Sequence, residues 1–121
     1  MYSKKYKESE EVFERVLEID KENQRVHYYL ARLYMRQKRY KDAAKKLKHY
    51  LSFDLMPLHE GYAHYFLGRI LQRQELYEKA IVEFELAYKV GKIKNAQRRV
   101  DFLKKKIDKG ETNSGTRKRR K

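Results

Sequence analysis

The chain has 121 residues and a formal net charge of +14 at pH 7, a length that allows one domain and excludes a catalytic domain beside a separate recognition domain. Hydrophobic residues make up 40% of the chain and charged residues another 40%, with one proline and five glycines, so the composition favours an all-α protein. Because cysteine is absent, disulfides, thiolate metal sites and cysteine nucleophiles are excluded.

The N-terminal residues do not resemble a secretory targeting segment. Residues 1–16 lack the apolar stretch and small-residue cleavage site of a secretory signal. No uninterrupted apolar run approaches the length of about 20 residues that spans a bilayer as a helix. We therefore expect a soluble, cytoplasmic protein.

The first predicted helix lies within residues 6–19. Its aromatic and aliphatic positions have the same spacing as a set later in the chain. The first set is Tyr6, Phe13, Val16, Leu17 and Ile19, and the later set is Tyr40, Leu47, Tyr50, Leu51 and Phe53. This helix therefore corresponds to the second half of a repeat whose first half is missing. Two alternatives stay open: the chain is a fragment of a longer protein, or another chain supplies the missing helix.

An internal repeat follows, with an offset of 37 residues. Seven positions recur at identical spacing: His27, Leu30, Ala31, Tyr34, Tyr40, Ala43 and Leu47 in the first copy, and His64, Leu67, Gly68, Leu71, Tyr77, Ala80 and Phe84 in the second. Apolar positions recur every three or four residues, as an amphipathic helix requires, and polar residues interrupt them at 37–39 and 74–75. Each copy is predicted to form a helix, a tight turn and a second helix, with the small residues permitting close helix packing and the two tyrosines covering the turn.

The C-terminal quarter is predicted to close the array. Gly91 ends a helix, and Ala96, Val100, Leu103 and Ile107 then form one apolar stripe on an otherwise polar segment, as in a terminal helix that covers the last hydrophobic face. Residues 110–121 have nothing to bury and are predicted to be a disordered basic tail. Residues 104–121 carry nine basic and two acidic residues. Their net charge of +7 is half of the +14 of the whole chain.

The repeat resembles the tetratricopeptide repeat, whose signature combines a Leu-Gly pair, a Tyr and an Ala-x3-Phe within about 34 residues. The matching residues are His64-x2-Leu67-Gly68-x2-Leu71 with Ala80-x3-Phe84, and His27-x2-Leu30-Ala31-x2-Tyr34 with Ala43-x3-Leu47. The resemblance covers about residues 6–107 and implies antiparallel helix-turn-helix repeats stacked as a short right-handed solenoid over residues 1–109. Three features depart from the family pattern: histidine at the usual aromatic position, no inter-repeat proline except Pro57, and a longer loop at residues 53–60.

The resemblance also implies that the first helix of each unit lines a concave groove. The predicted groove residues are Arg25, Tyr28, Tyr29, Arg32 and Arg36 in one unit, and Tyr62, Tyr65, Phe66, Arg69 and Arg73 in the next. Arginine beside tyrosine suits an acidic peptide, because the guanidinium pairs with carboxylate or phosphate and the ring adds rigid contact area. The alternative is an ordinary surface of solvated arginines over half-exposed tyrosines. Chaperone-tail recognition is disfavoured, since Tyr29 and Phe66 stand where the family's carboxylate clamp has asparagine.

No residue pattern predicts a metal, a cofactor or catalysis. His27 and His64 occupy equivalent positions, but no further ligand follows at a suitable spacing, so core packing is the preferred interpretation. His49 and His59 carry no signal, and no serine lies near a glycine-rich elbow. We therefore predict a protein that is not an enzyme and needs no cofactor.

The sequence leads to one principal functional hypothesis and two alternatives. The principal one is a scaffold or adaptor that binds a peptide or helix of a partner protein in the Tyr/Arg groove, and we expect this partner segment to be acidic. The first alternative is association with nucleic acid through the cationic face and the tail, Arg117, Lys118, Arg119, Arg120 and Lys121. The second is self-assembly, in which the unpaired first helix completes the array of another copy and Phe13 or Val16 forms the interface.

Overall fold

A computed structural model describes the chain from residue 2 to residue 110, and its side chains from residue 5 to residue 110. Within that range every regular element is an α-helix, which confirms the all-α prediction. The elements in chain order are α1 (Tyr2–Ile19), α2 (Gln24–Arg36), α3 (Tyr40–Leu51), α4 (Pro57–Arg73), α5 (Tyr77–Gly91) and α6 (Lys94–Asp108). Of the predicted tail, only Gly110 falls within the described residues.

The chain divides into two compact units, Met1–Asp54 and Leu55–Lys121. In unit 1, α2 packs against α3 and α1 packs against α2. In unit 2, α4 packs against α5 and α5 packs against α6. Each unit therefore contains one of the two predicted helix pairs together with one further helix.

The same turn joins the helices of both pairs. In unit 1 the Arg39 amide donates to the Tyr34 carbonyl at 2.9 Å, and the Lys38 amide donates to the Met35 carbonyl at 3.0 Å. The corresponding bonds in unit 2 run from Leu76 to Leu71 at 2.9 Å and from Glu75 to Gln72 at 3.0 Å. These pairs of bonds define a Schellman motif, and its left-handed residue is Lys38 (φ 61°) or Glu75 (φ 63°). The turn lies where the polar interruption of each copy predicted it.

The repeated positions supply six of the nine buried residues of the α2–α3 pair and four of the nine of the α4–α5 pair. In unit 1 all of them are buried except Tyr40, which is half-buried. In unit 2 the buried ones are Leu67, Gly68, Ala80 and Phe84, while the other three are half-buried. A 37-residue spacing in the sequence thus corresponds to the same packing position in two units.

Glycine permits two close approaches in unit 2. A Cβ atom at Gly68 would lie 2.7 Å from the Phe84 ring, so the missing side chain makes room for that phenylalanine. A Cβ atom at Gly61 would lie 2.6 Å from the Cα of Gly91, where the backbones of α4 and α5 meet. The Gly61 approach was not predicted, because Gly61 lies outside the repeat signature.

The boundaries around α4 and α6 refine the sequence prediction. Pro57 occupies the first turn of α4, where its missing N–H costs no helical hydrogen bond. The predicted loop at residues 53–60 was therefore too long at its C-terminal end, and the connection runs over residues 52–56. The predicted break at Gly91 is confirmed, with Lys92 in the left-handed conformation (φ 57°) as the C-cap.

Helix α6 packs as predicted for a closing helix. Its Ala96, Val100 and Leu103 join a cluster of buried residues from α5, and Ile107 is half-buried. Among the helices of residues 2–110, none is long and apolar enough to cross a membrane.

A polar network fastens α1 to the α2–α3 turn of unit 1. One carboxylate oxygen of Glu10 accepts from the Tyr34 hydroxyl at 3.2 Å, and the other accepts from Arg39 Nη1 at 2.9 Å. The Arg39 guanidinium also bonds Asp42 at 3.1 Å and lies 4.2 Å from the Tyr34 ring centroid. Burial, with the Glu10 charge beside it, raises the pKa of Tyr34 to about 12, so the hydroxyl donates to Glu10 at every physiological pH.

Candidate functional site

The predicted unit 1 residues occupy α2, and their exposure differs. The three arginines, Arg25, Arg32 and Arg36, are exposed, and Tyr29 is 46% exposed. Tyr28 is half-buried and lies 5.2 Å from the ring of Tyr50. The available surface of α2 is therefore mainly Tyr29 with its neighbouring arginines.

A surface pocket of about 220 Å³ lies between α1 and α2 of unit 1. Its cationic lining consists of Arg32 and Arg36, and its aromatic lining consists of Tyr29 and Phe13, whose ring centroids are 6.0 Å apart. Ser9 and Leu33 complete the lining. This pocket, pocket A, therefore places two positively charged side chains beside two aromatic rings.

The predicted unit 2 residues occupy α4 and also divide into accessible and packed side chains. Tyr62 is 39% exposed, Arg73 is exposed and Arg69 is half-buried. Phe66 is buried, and Tyr65 packs against the core with its ring 5.6 Å from that of Phe84. Phe66 and Tyr65 therefore stabilise unit 2, and the accessible part of the predicted set is Tyr62 with the two arginines.

A larger surface pocket, about 360 Å³, lies against α4, the start of α5 and α6. It will be called pocket B. Its lining is Arg69, Gln72, Arg73, Glu75, Tyr77, Arg99, Phe102 and Lys106. Four of these side chains are cationic and one is a carboxylate, so the pocket is strongly positive.

The contacts inside pocket B leave its arginines available to an anion. Arg99 Nη1 donates to the neutral oxygen of Gln72 at 3.3 Å, and the Arg69 guanidinium lies 5.9 Å from the Phe66 ring centroid. Within residues 5–110, neither these two arginines nor Arg73 forms a salt bridge. Guanidinium groups in this state can each present two parallel N–H donors to a carboxylate or phosphate.

Sequence reasoning identified Arg69 and Arg73 of pocket B and missed the contribution of α6. Arg99, Phe102 and Lys106 are spaced by three and four residues, so they share one helix face beside the buried stripe. That spacing was visible in the sequence. However, polar residues beside an apolar stripe are also typical of ordinary solvated surface, so the spacing alone does not identify a pocket.

The paired histidines have different surroundings. His27 is 6% exposed, its Nε2 lies 3.1 Å from the Lys21 carbonyl oxygen, and its Nδ1 has no hydrogen-bond partner among the described residues. The ring of His49 lies 4.1 Å from that of His27 in centroid distance, so His49 does not stand alone as its sequence position indicated. Burial lowers the pKa of His27, and the charges of His49 and Lys46 add to the decrease.

His64 is held by carboxylates in unit 2. Its Nδ1 lies 2.7 Å from Glu83 Oε1, and its Nε2 lies 4.0 Å from Glu60 Oε2. No group of three or more histidine, cysteine or acidic side chains that could hold a metal ion occurs among the described residues. The hydrogen bond to Glu83 connects α4 to α5, so His64 contributes to the packing of this helix pair.

The remaining predicted site residues belong to the basic tail and to helix α1. The basic tail residues Arg117, Lys118, Arg119, Arg120 and Lys121 lie outside the described part of the chain. On α1, Phe13 and Val16 are half-buried in unit 1, whereas Ile19 is 89% exposed. The most accessible apolar surface of α1 is therefore at its C-terminal end.

Comparison with known protein families agrees with the geometry of both units. One tetratricopeptide repeat model matches residues 1–55, and a second matches residues 61–90. No curated protein matches the chain in sequence. The two matches together include both helix pairs and both Schellman turns. The chain belongs to the tetratricopeptide repeat family.

Proposed function

We propose that this protein is a binding module for an acidic segment of a partner protein, recognised by the Tyr/Arg faces of α2 and α4. Tetratricopeptide repeats are generally protein–protein interaction modules and typically act as scaffolds without catalysis. The family membership supports the general class of function. The chemistry of the two faces supports an anionic partner.

One observation carries the proposal. Arg32 and Arg36 line pocket A, and Arg69 and Arg73, which follow them by 37 residues, line pocket B. In both pockets the arginine pair adjoins aromatic side chains. A repeated pairing of guanidinium and aromatic groups is the combination found at binding hot spots, because the ring limits the entropy cost while the charge gives directional hydrogen bonds.

A peptide-display selection on the full-length protein tests this proposal. We expect the selected peptides to be rich in Asp and Glu and to lose at least about tenfold in affinity, near 1.4 kcal/mol, when all four arginines are replaced by glutamine. The matched control replaces four exposed lysines of α3 and α5, Lys41, Lys45, Lys79 and Lys89, by glutamine, which removes the same charge elsewhere. Equal losses in the two variants would show that only net charge matters and would reject the proposal.

Nucleic-acid association is the second candidate, because α6 has a largely basic surface. Six of its fifteen residues are basic and two are acidic. The basic residues are Lys94, Arg98, Arg99, Lys104, Lys105 and Lys106, and the acidic residues are Asp101 and Asp108. A single-stranded oligonucleotide offered in competition with the selected peptides separates the two candidates. Tighter binding of the oligonucleotide near physiological salt, with base stacking on Phe102, would favour this second function.

A further inference from the structure

Pockets A and B differ in the number of charges they contain. Among the described residues, the lining of pocket A contains two cations and no carboxylate, whereas the lining of pocket B contains four cations and one carboxylate, Glu75. A single carboxylate would neutralise half of the charge of the two arginines that line pocket A. A singly charged ligand could not neutralise the three arginines of pocket B, which form no salt bridge within residues 5–110.

The three arginines of pocket B come from two helices, Arg69 and Arg73 from α4 and Arg99 from α6. Guanidinium groups that line one pocket from two helices favour an anion with several acceptor oxygens. A phosphate ester carries a charge of about −1.5 to −2 at pH 7 and three acceptor oxygens, so it can pair with more than one guanidinium at once. Phosphate therefore matches the charge and the number of cationic donors of pocket B better than carboxylate.

An aromatic wall lies beside these cations. Lys106 Nζ is 5.6 Å from the Tyr77 ring centroid and 5.7 Å from that of Phe102, so it lies between two rings. Phe102 is 52% exposed, which leaves an apolar face directed to solvent next to a cationic cluster. A ligand with a flat apolar part and a phosphate would cover this ring while it neutralised the arginines.

The size of the pocket limits the ligand. A volume of about 360 Å³ is near the lower end for small-molecule sites, which run from about 300 to 1,000 Å³. It accommodates one large side chain and is too small for a helix. With the proposed function, in which the partner is a protein segment, this volume fits one modified residue of that segment.

Resting on the proposed function and deepening it, we propose that pocket B binds a phosphorylated tyrosine of the partner segment. The phosphate pairs with Arg69, Arg73 and Arg99, and the tyrosine ring packs on Phe102. Pocket A takes an unmodified acidic side chain of the same class of partner. Phosphorylation of the partner then increases the affinity through pocket B alone.

The test uses phenyl phosphate as the probe and isotope-labelled full-length protein observed by nuclear magnetic resonance. We expect phenyl phosphate to shift the signals of Arg99 and Phe102, and to bind at least about tenfold more tightly than benzoate, which has the same ring with one charge. Inorganic phosphate should bind more weakly than phenyl phosphate because it makes no contact with Phe102. Equal binding of benzoate and phenyl phosphate would overturn the proposal.

Two variants on α6 provide a matched comparison. R99Q/K106Q removes two pocket cations, and R98Q/K105Q removes two neighbouring cations that do not line the pocket. We expect only the first to abolish the difference between phenyl phosphate and benzoate. If R99Q/K106Q fails to fold, R99K keeps the charge and removes the bidentate geometry, and it should still lower phenyl phosphate affinity severalfold. Equal effects of the pocket and control variants would reject a site at pocket B.

A final arm separates this inference from the proposed function. An acidic peptide from the display selection is compared with the same peptide carrying phosphotyrosine. If both bind equally, the binding module stands and the phosphate inference fails; if the selection yields no acidic peptide, the proposed function fails. Preference for adenosine monophosphate over phenyl phosphate would assign pocket B to a nucleotide and would also overturn the inference.

Discussion

At Lys38 and Glu75 the chain places charged residues in the left-handed conformation that glycine adopts most easily. The tight turn requires this conformation, since its hydrogen bonds close only when the chain reverses at that residue. A left-handed residue with a Cβ atom costs about 1–2 kcal/mol. Both units therefore contain a local strain that glycine would remove.

Replacing Lys38 by glycine should stabilise unit 1 by about 0.5–1 kcal/mol, after the greater chain entropy of glycine in the unfolded state is subtracted. The midpoint of urea unfolding measures the change. As control, Lys41→Gly on an exposed position of α3 should destabilise by about 1 kcal/mol. A decrease in the midpoint for Lys38→Gly would contradict the role of the turn.

His27 should make unit 1 sensitive to acid. Burial lowers its pKa in the folded protein below the ordinary value of 6.5, so the unfolded chain binds the proton more readily. The contribution of neutral His27 to the free energy of unfolding is therefore fully present above a pH of about 6.5. It decreases as the pH falls toward the lowered pKa of the folded state. We expect the unfolding midpoint to fall more steeply between pH 7.5 and pH 5 in the wild type than in His27→Gln. The control, His59→Gln at an exposed position, should keep the wild-type slope.

On the scale of elements, α1 depends on a few polar contacts and a small apolar interface. Glu10 connects it to Tyr34 and to Arg39, while Phe13 lies 6.0 Å from Tyr29. Because Arg39 is partly exposed, its ion pair with Glu10 contributes modestly. The helix is therefore held less firmly than the α2–α3 pair.

Glu10→Ala should loosen α1 without unfolding the α2–α3 pair. We expect a loss of about 1 kcal/mol in unfolding free energy and faster amide exchange confined to α1. Glu11→Ala, which removes an exposed carboxylate from the same helix, should change neither quantity appreciably. Exchange that accelerates equally throughout unit 1 would show that α1 and the helix pair unfold together.

The exposed apolar end of α1 allows a direct test of self-assembly. The sequence hypothesis placed the interface at Phe13 and Val16, but these side chains are half-buried within unit 1, whereas Val12 and Ile19 are exposed. If the protein acts as a binding module and does not self-assemble, light scattering should give the same mass in solution for the wild type and for the variant V12D/I19D. A larger wild-type mass that the variant reduces to one copy would favour self-assembly instead.

On the scale of the whole molecule, the net charge of +14 attracts any anionic partner over a distance of about one Debye length, 8 Å at physiological salt. Residues 110–121 hold five basic residues and one acidic residue, a net charge of +4, so removing them leaves +10. Long-range attraction and specific recognition can therefore be separated by removing the C-terminal segment.

A chain that ends at Lys109 should bind the selected acidic peptides within about twofold of the full-length affinity at 0.15 M salt, because the remaining attraction is screened. Its affinity for a single-stranded oligonucleotide should fall, and the salt dependence should decrease by roughly 0.7 in log–log slope for each lost phosphate contact. Titration of both chains at several salt concentrations measures both effects. Loss of peptide binding on truncation would show that residues 110–121, and not the helical faces, recognise the peptide.

The sequence by itself determined the helices, the turns and the repeated core. Positions such as Leu30 and Leu67, or Ala43 and Ala80, follow from periodicity, because an amphipathic helix needs apolar residues every three or four positions to bury one face. The Schellman turns follow from the polar interruptions. The family assignment rested on the same spacing and agrees with the matched models.

Only the tertiary structure decided which aromatic residues are accessible and which charges converge. Tyr62 and Phe66 share the periodicity of α4, yet Phe66 is buried, because burial depends on the helix packed opposite and periodicity does not identify that partner. Arg73 and Arg99 are 26 positions apart in sequence and line one pocket, since the packing of α5 and α6 determines that neighbourhood. The chemistry of pocket B is thus a property of packing between elements, which local sequence patterns do not encode.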